Sequence, residues 1–184
     1  MKRIVFFGDS LTAGYGLAKP DVQSLPGLIQ KKIDDAGFKY QVVNAGVSGD
    51  TSSGGLSRLD YWIHQPVDIF VLELGVNDLF RGAPYAATKR NLDLILKKVK
   101  ERYPNCKLAI MGMEIPAALN FAPLNGFRNI YRELAEAHAT AFVPFYLEGV
   151  AGLKHLNLPD GLHPSAKGYE VIAEKVWPTI RALL

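Results

Sequence analysis

Short runs of consecutive apolar residues, spaced out by segments whose apolar residues recur every three or four positions, restrict the folds open to this chain more than any other feature. Ile4–Phe7, Val42–Val43, Ile69–Leu74 and Leu108–Met111 are such runs, with a weaker one at Ala141–Val143. Runs this short, apolar on successive positions, predict strands covered on both faces. The intervening stripes predict amphipathic helices: Leu25, Leu28, Ile29, Ile33 and Ala36; then Leu92, Ile95, Leu96, Val99 and Tyr103; then Phe127, Ile130, Tyr131 and Leu134; finally Tyr169, Ile172, Ala173, Val176, Ile180 and Leu183. Gly37 and Tyr103-Pro104-Asn105 punctuate them. Strand and helix in alternation require right-handed crossovers, hence a parallel sheet with helices on both faces. The chain has 184 residues and shows no repeat, linker or low-complexity segment, so the expectation is one α/β layer sandwich, a single domain over residues 1–184.

In such a sheet, functional loops collect beyond the carboxyl ends of the strands. Gly8-Asp9-Ser10-Leu11 follows the first expected strand, Asn44–Gly49 the second and Gly75-Val76-Asn77-Asp78 the third. Ser10 stands where a strand stops at a glycine, and from there it could open a helical turn with an exposed hydroxyl and free N–H groups beside it. Gly-Asp-Ser alone is equally a polar turn. His163 follows Asp160 by three residues and precedes Pro164 and Ser165, which look like the entry to the last helix, with Ser165 as its N-cap. That spacing can bring a carboxylate to the imidazole Nδ1–H, fixing the tautomer and stabilising an imidazolium. Taken alone, it also fits an Asx-turn with a surface histidine. Gly49, lacking a side chain, can bring a backbone N–H close to a ligand, and the Asn77 amide can donate into the same rim. With the Ser10 N–H they would make an oxyanion hole. Gly-x-Ser-x-Gly occurs nowhere, so a serine hydrolase here is not of the nucleophile-elbow type.

The other residues narrow the partners. Net charge is +3, and the densest basic run, 97–102, is interrupted by Glu101, so it reads as a solvated helix face and no nucleic-acid partner is expected. Cys106 is the one cysteine; it cannot form an internal disulfide, and no Cys/His set has zinc spacing. It begins an apolar stretch and is expected in the core. No apolar run approaches ~20 residues, so no stable membrane insertion is expected. The apolar run after Lys2 and Arg3 is too short for a signal peptide, which makes the chain cytoplasmic as it stands, and periplasmic or secreted where a leader has been removed. His64, His138 and His155 are expected to be structural.

These blocks resemble the GDSL or SGNH hydrolases, a family marked by an invariant Ser, Gly, Asn and His. Gly8-Asp9-Ser10-Leu11 resembles the first block, Gly49 the second, Gly75-Val76-Asn77-Asp78 the third and Asp160-Gly161-Leu162-His163 the last, in order, over essentially the full length. Asn44–Thr51 and Leu72–Asp78 look most similar to the bacterial thioesterase I / lysophospholipase L1 / arylesterase branch. The resemblance implies a flavodoxin-like three-layer α/β/α sandwich with a parallel five-stranded sheet. It implies Ser10 as nucleophile, His163 as general base and acid, Asp160 as its orienter, and Ser10, Gly49 and Asn77 as the oxyanion hole. It implies no metal and no organic cofactor. Val76 and Leu79 stand where that branch often has glycines, so a stiffer, more apolar loop is expected at 76–81.

The expected reaction is hydrolysis of a small-molecule carboxylic ester, an acyl thioester or a lysophospholipid through an acyl-serine. Leu79 and Phe80 after Asn77, with Ile115, Pro116 and Phe121 in the long apolar connection after the fourth strand, are expected to wall an acyl chain of medium length. Folding of that connection back onto the core is the alternative. Carbohydrate O-acetyl ester hydrolysis on the same scaffold is a second reading, though Trp62 and Trp177 look like helix positions rather than sugar-binding rim residues. A non-catalytic flavodoxin-like binding domain is a third. Oligomeric state is left open.

Overall fold

A computed structural model describes residues 1–113 and 124–184. The chain runs β1 (Lys2–Gly8), α1 (Ser10–Ala13), α2 (Pro20–Gln23), α3 (Leu25–Asp35), β2 (Tyr40–Gly46), α4 (Ser52–Trp62) and β3 (Ile69–Glu73). It continues through α5 (Val76–Phe80), α6 (Tyr85–Arg102), β4 (Lys107–Met111), α7 (Leu124–Ala137), β5 (Ala141–Val143) and α8 (Ala166–Arg181). The five strands are parallel, in the order β2-β1-β3-β4-β5. Helix α3 packs on α8, while α4 packs on α6 and α6 on α7, so helices flank the sheet in two layers. This is the expected α/β/α architecture.

Ile4, Val5, Phe6 and Phe7 of β1 are all buried, as is every residue of β3, which suits strands in the interior of the sheet. The edge strands depart from that expectation. Gln41 and Asn44 of β2 are exposed and all of β5 is half-buried, because an edge strand has a neighbour on one side only.

Two further elements differ from the sequence pattern. Helix α4 has no strong apolar stripe and carries Gly54 and Gly55; its start is instead held by polar groups. Thr51 Oγ1 accepts from the Gly54 N–H, while the buried Asp78 carboxylate accepts from Ser52 N–H at 2.7 Å and Ser52 Oγ at 2.6 Å. The expected loop at 76–81 is mostly the short helix α5, entered through Gly75 at φ 119°, a conformation open to glycine and rarely to other residues.

Because β1 pairs with β2 on one side and β3 on the other, successive connections leave it in opposite directions. In the sheet Gly8 lies level with Gly46 and with Glu73. The three strand ends therefore deliver their loops to one crevice, the topological switch point where such sheets hold ligands.

Candidate active site

The crevice is built first by β1. The strand ends at Gly8, and Asp9 caps α1, its Oδ1 accepting from Leu11 N–H at 3.0 Å. Ser10 is the first helical residue and is nearly buried. Gly14, at φ 79°, ends α1 after one turn. Ser10 thus sits on a single rigid turn, with its N–H among those a helix start leaves without an intrahelical acceptor.

The opposing wall is the loop before α8. Leu158 N–H donates to His163 O and Ser165 N–H to Leu156 O, closing a narrow turn. Asn157 Nδ2 fixes its base, donating to Val150 O and Leu153 O. Ser165 caps α8 through Gly168 N–H, as expected. Asp160 Oδ1 accepts from Leu162 N–H and His163 N–H, and its Oδ2 faces His163 Nδ1 at 2.7 Å. His163 Nε2 lies 2.9 Å from Ser10 Oγ. A carboxylate only accepts, so Nδ1 carries the proton and Nε2 accepts from the Ser10 hydroxyl. The Tyr15 ring lies 4.7 Å from the imidazole, centroid to centroid, and is half exposed. Hydrogen bonds from the two backbone N–H groups and from His163 hold the Asp160 carboxyl down at about 2, so it is ionised at neutral pH.

The third wall carries Gly49 and Asn77. Gly49 is left-handed at φ 78°, and its carbonyl accepts from Arg81 Nη2. The Asn77 amide nitrogen donates to two acceptors, Asp9 Oδ2 at 3.0 Å and the Asp50 carbonyl at 2.9 Å. The sequence-predicted Ser10, Asp160 and His163 are in contact, and Asn77 reaches the residue next to Ser10. Of the expected acyl wall, Leu79 is half-buried against the core while Phe80 is 65% exposed. Ile115, Pro116 and Phe121 lie outside the described residues. Of the remaining histidines, His138 Nε2 pairs with Asp93 at 2.7 Å, His64 Nδ1 contacts the Tyr61 carbonyl, and His155 is exposed on the turn Lys154–Leu156. Cys106 is buried, as expected. Among the described residues, no cluster of His, Cys, Asp or Glu could hold a metal ion, and no helix is long and apolar enough to cross a membrane.

Three residues that the motifs do not single out organise the crevice. Arg58, on α4, donates to Asp50 Oδ2, Ala45 O and Gly8 O, with its guanidinium 4.0 Å from the centre of the Phe7 ring. It thereby ties the ends of β1 and β2 to the loop that carries Gly49. Asp9 is fully buried beside Glu73, itself 3% exposed; Glu73 Oε2 accepts from Thr12 Oγ1 at 2.8 Å and from Asp9 N–H at 3.3 Å. Glu73 carries one visible signal in the sequence: it is a carboxylate inside an otherwise apolar strand. Burial pushes Asp9 up to about 6, against the Leu11 N–H and the His163 charge, and burial together with the Asp9 charge pushes Glu73 well above the ordinary range.

The sign of that shift predicts a measurable trend. An acid raised on folding, here from 3.8 to about 6, stabilises the fold below its unfolded pKa and loses that contribution as pH climbs through its folded one. The thermal-unfolding midpoint of Asp9→Asn, relative to the native protein, is therefore expected to move in the variant's favour between about pH 4 and pH 7. A difference that stays flat over that range would contradict the burial argument.

Comparisons with known proteins bear on the family and the fold. Residues 6–171 match the model of the GDSL-like Lipase/Acylhydrolase family. The esterase TesA of Pseudomonas aeruginosa is 38% identical over 98% of this chain and 89% of its own. Thioesterase 1/protease 1/lysophospholipase L1 of Escherichia coli is 35% identical over 93% of this chain and 79% of its own. The crystal structure of TesA superposes with a TM-score of 0.91 at 36% identity, covering 100% of both chains.

Proposed function

The chain belongs to the GDSL-like lipase/acylhydrolase family and is a serine esterase acting on small-molecule esters, and on that premise we propose that Ser10, His163 and Asp160 carry the reaction with Ser10, Gly49 and Asn77 as the oxyanion site. The non-catalytic reading is thereby set aside.

His163 Nε2 takes the Ser10 proton as Oγ attacks the ester carbonyl. Negative charge develops on the former carbonyl oxygen and is met by the N–H groups of Ser10 and Gly49 and by the Asn77 amide. The imidazolium, stabilised by Asp160, protonates the departing oxygen and leaves an acyl-serine. A water molecule then gives its proton to His163 and attacks the acyl carbon, and the proton returns to Ser10 Oγ as the acid departs. The observation that carries this reading is the unbroken contact chain from Asp160 Oδ2 through both imidazole nitrogens to Ser10 Oγ, at 2.7 and 2.9 Å, between residues 153 positions apart.

Acyl thioesters and lysophospholipids join the proposed substrates through the name of the Escherichia coli relative. Leu79, two residues after Asn77 and packed against the core, is proposed as the inner wall for the acyl chain, and Phe80, Ile115, Pro116 and Phe121 are kept as proposed acyl contacts on the sequence alone.

A fluorophosphonate probe tests the assignment, because it phosphonylates only an activated serine. The native protein is expected to label with one probe per chain and Ser10→Ala to remain unlabelled. Labelling that persists in the variant, or fails in both, would overturn it.

A further inference from the structure

We infer that Asp9 is a positioning residue for ester hydrolysis, its buried carboxylate joining the nucleophile turn to the Asn77 amide so that both point at the same reacting carbonyl. This rests on the proposed role of Asn77 as an oxyanion donor.

As a helix cap, Asp9 needs one oxygen only, and serine, threonine or asparagine would serve a one-turn helix as well. Its other oxygen is turned away from α1 and accepts from Asn77 Nδ2 at 3.0 Å. A single planar group thus holds Leu11 N–H on one oxygen and Asn77 on the other, across 68 positions of sequence. Burying such a charge costs free energy unless hydrogen bonds replace its water, so stability alone is a poor reason for an anion here.

Asn77 Nδ2 has two hydrogens, and both are in use. An oxyanion is a third acceptor and has to displace or share one of the two present. The bond to Asp9 is charge-assisted and shielded from solvent, whereas Asp50 offers a neutral backbone carbonyl. The Asp50 bond is the one that yields. Once it has yielded, Asp9 alone keeps the NH₂ side of the amide facing the reaction, since an acceptor-only group cannot tolerate the amide oxygen in its place.

Glu73 makes the anion tenable. Two carboxyls in one buried site do not both ionise readily, so the pair holds one negative charge, with the proton on Glu73, which burial and its neighbour favour in the neutral form. The charged groups that bear on Asp9 are Glu73 on β3, Asp50 before α4 and His163 before α8.

Steady-state hydrolysis of p-nitrophenyl butyrate by the native protein, Asp9→Asn, Asn77→Ala and the double variant tests this. Asn77→Ala is expected to lose about 10²–10³ in kcat. Asp9→Asn is expected to lose at least about tenfold in kcat with KM within about threefold, and the double variant to match Asn77→Ala within about threefold, because both act through one amide. Asp9→Ser, which keeps the cap and drops the Asn77 contact, is expected to lose as much as Asp9→Asn, and stands in for it where that variant fails to fold. Losses that multiply in the double variant, or a native-like kcat with Asp9 replaced, would overturn the inference. A native-like kcat in Asn77→Ala would instead overturn the oxyanion role on which it rests.

Discussion

His163→Ala is expected to lower kcat for an aryl ester by about 10⁴- to 10⁶-fold with KM little changed. At neutral pH a serine hydroxyl is essentially un-ionised and a weak nucleophile; Nε2 at 2.9 Å is what removes its proton as the bond to carbon forms. The same nitrogen must then protonate the leaving oxygen, so the loss falls on both halves of the reaction. Neither His138, paired with Asp93, nor His64, which contacts the Tyr61 carbonyl, is free to take its place. Binding is expected to survive, because the proposed backbone donors of Ser10 and Gly49 do not depend on the imidazole. The fold survives too: the loop is closed by its own backbone bonds, Leu158 N–H to His163 O and Ser165 N–H to Leu156 O, and these need no side chain at 163. Hydrolysis rates measured beside a circular-dichroism melt check this. A loss below about 100-fold with an intact fold would assign the proton transfer to another group.

Gly8→Ala is expected to destabilise the fold by about 3 kcal/mol and to abolish most activity, through crowding rather than backbone strain. A Cβ at position 8 would lie 2.1 Å from Thr12 Oγ1, 2.5 Å from Glu73 Oε2 and 2.5 Å from the Glu73 carbonyl. Thr12 can rotate away, but the Glu73 carbonyl is part of β3, registered directly against Gly8 in the middle of the sheet. Relief therefore means parting β1 from β3 at the end that delivers Asp9 and Ser10. The Gly8 carbonyl also accepts from Arg58 Nη2 and Val47 N–H, so the shift would carry into the β2 side of the crevice. Denaturant midpoints for the two proteins, with kcat measured alongside, are the check. A stability change under about 1 kcal/mol would show that the strand ends have more room than these distances allow.

Much of this was legible in the sequence because hydrophobic pattern and loop position are local signals. Ile4–Phe7 and Ile69–Leu74 marked the two central strands, and the four-stripe pattern marked α3, α6, α7 and α8. Val42–Val43 marked only the middle of a seven-residue edge strand, since Gln41 and Asn44 face solvent and carry no apolar signal. Helix α4 was hidden for a different reason: its start is stabilised by Asp78, 26 positions away, and not by an apolar face. Ser10, Asp160 and His163 could be named because each stood at a strand end or helix start with suitable chemistry. Asp9 and Arg58 could not, since what they do is fixed by partners 68 and 50 positions away, and nothing near them in the chain announces those partners.

Ser10 and His163 stand 153 positions apart, on opposite walls of the crevice. Asp9, Arg58 and Glu73 shape one wall from the ends of β1 and β3 and from α4. The other wall is the loop ahead of α8, and α8 packs on α3. The proposed proton-transfer contact is therefore a property of the assembled tertiary structure, and loosening α8 from α3 would separate the two groups before the sheet itself opened.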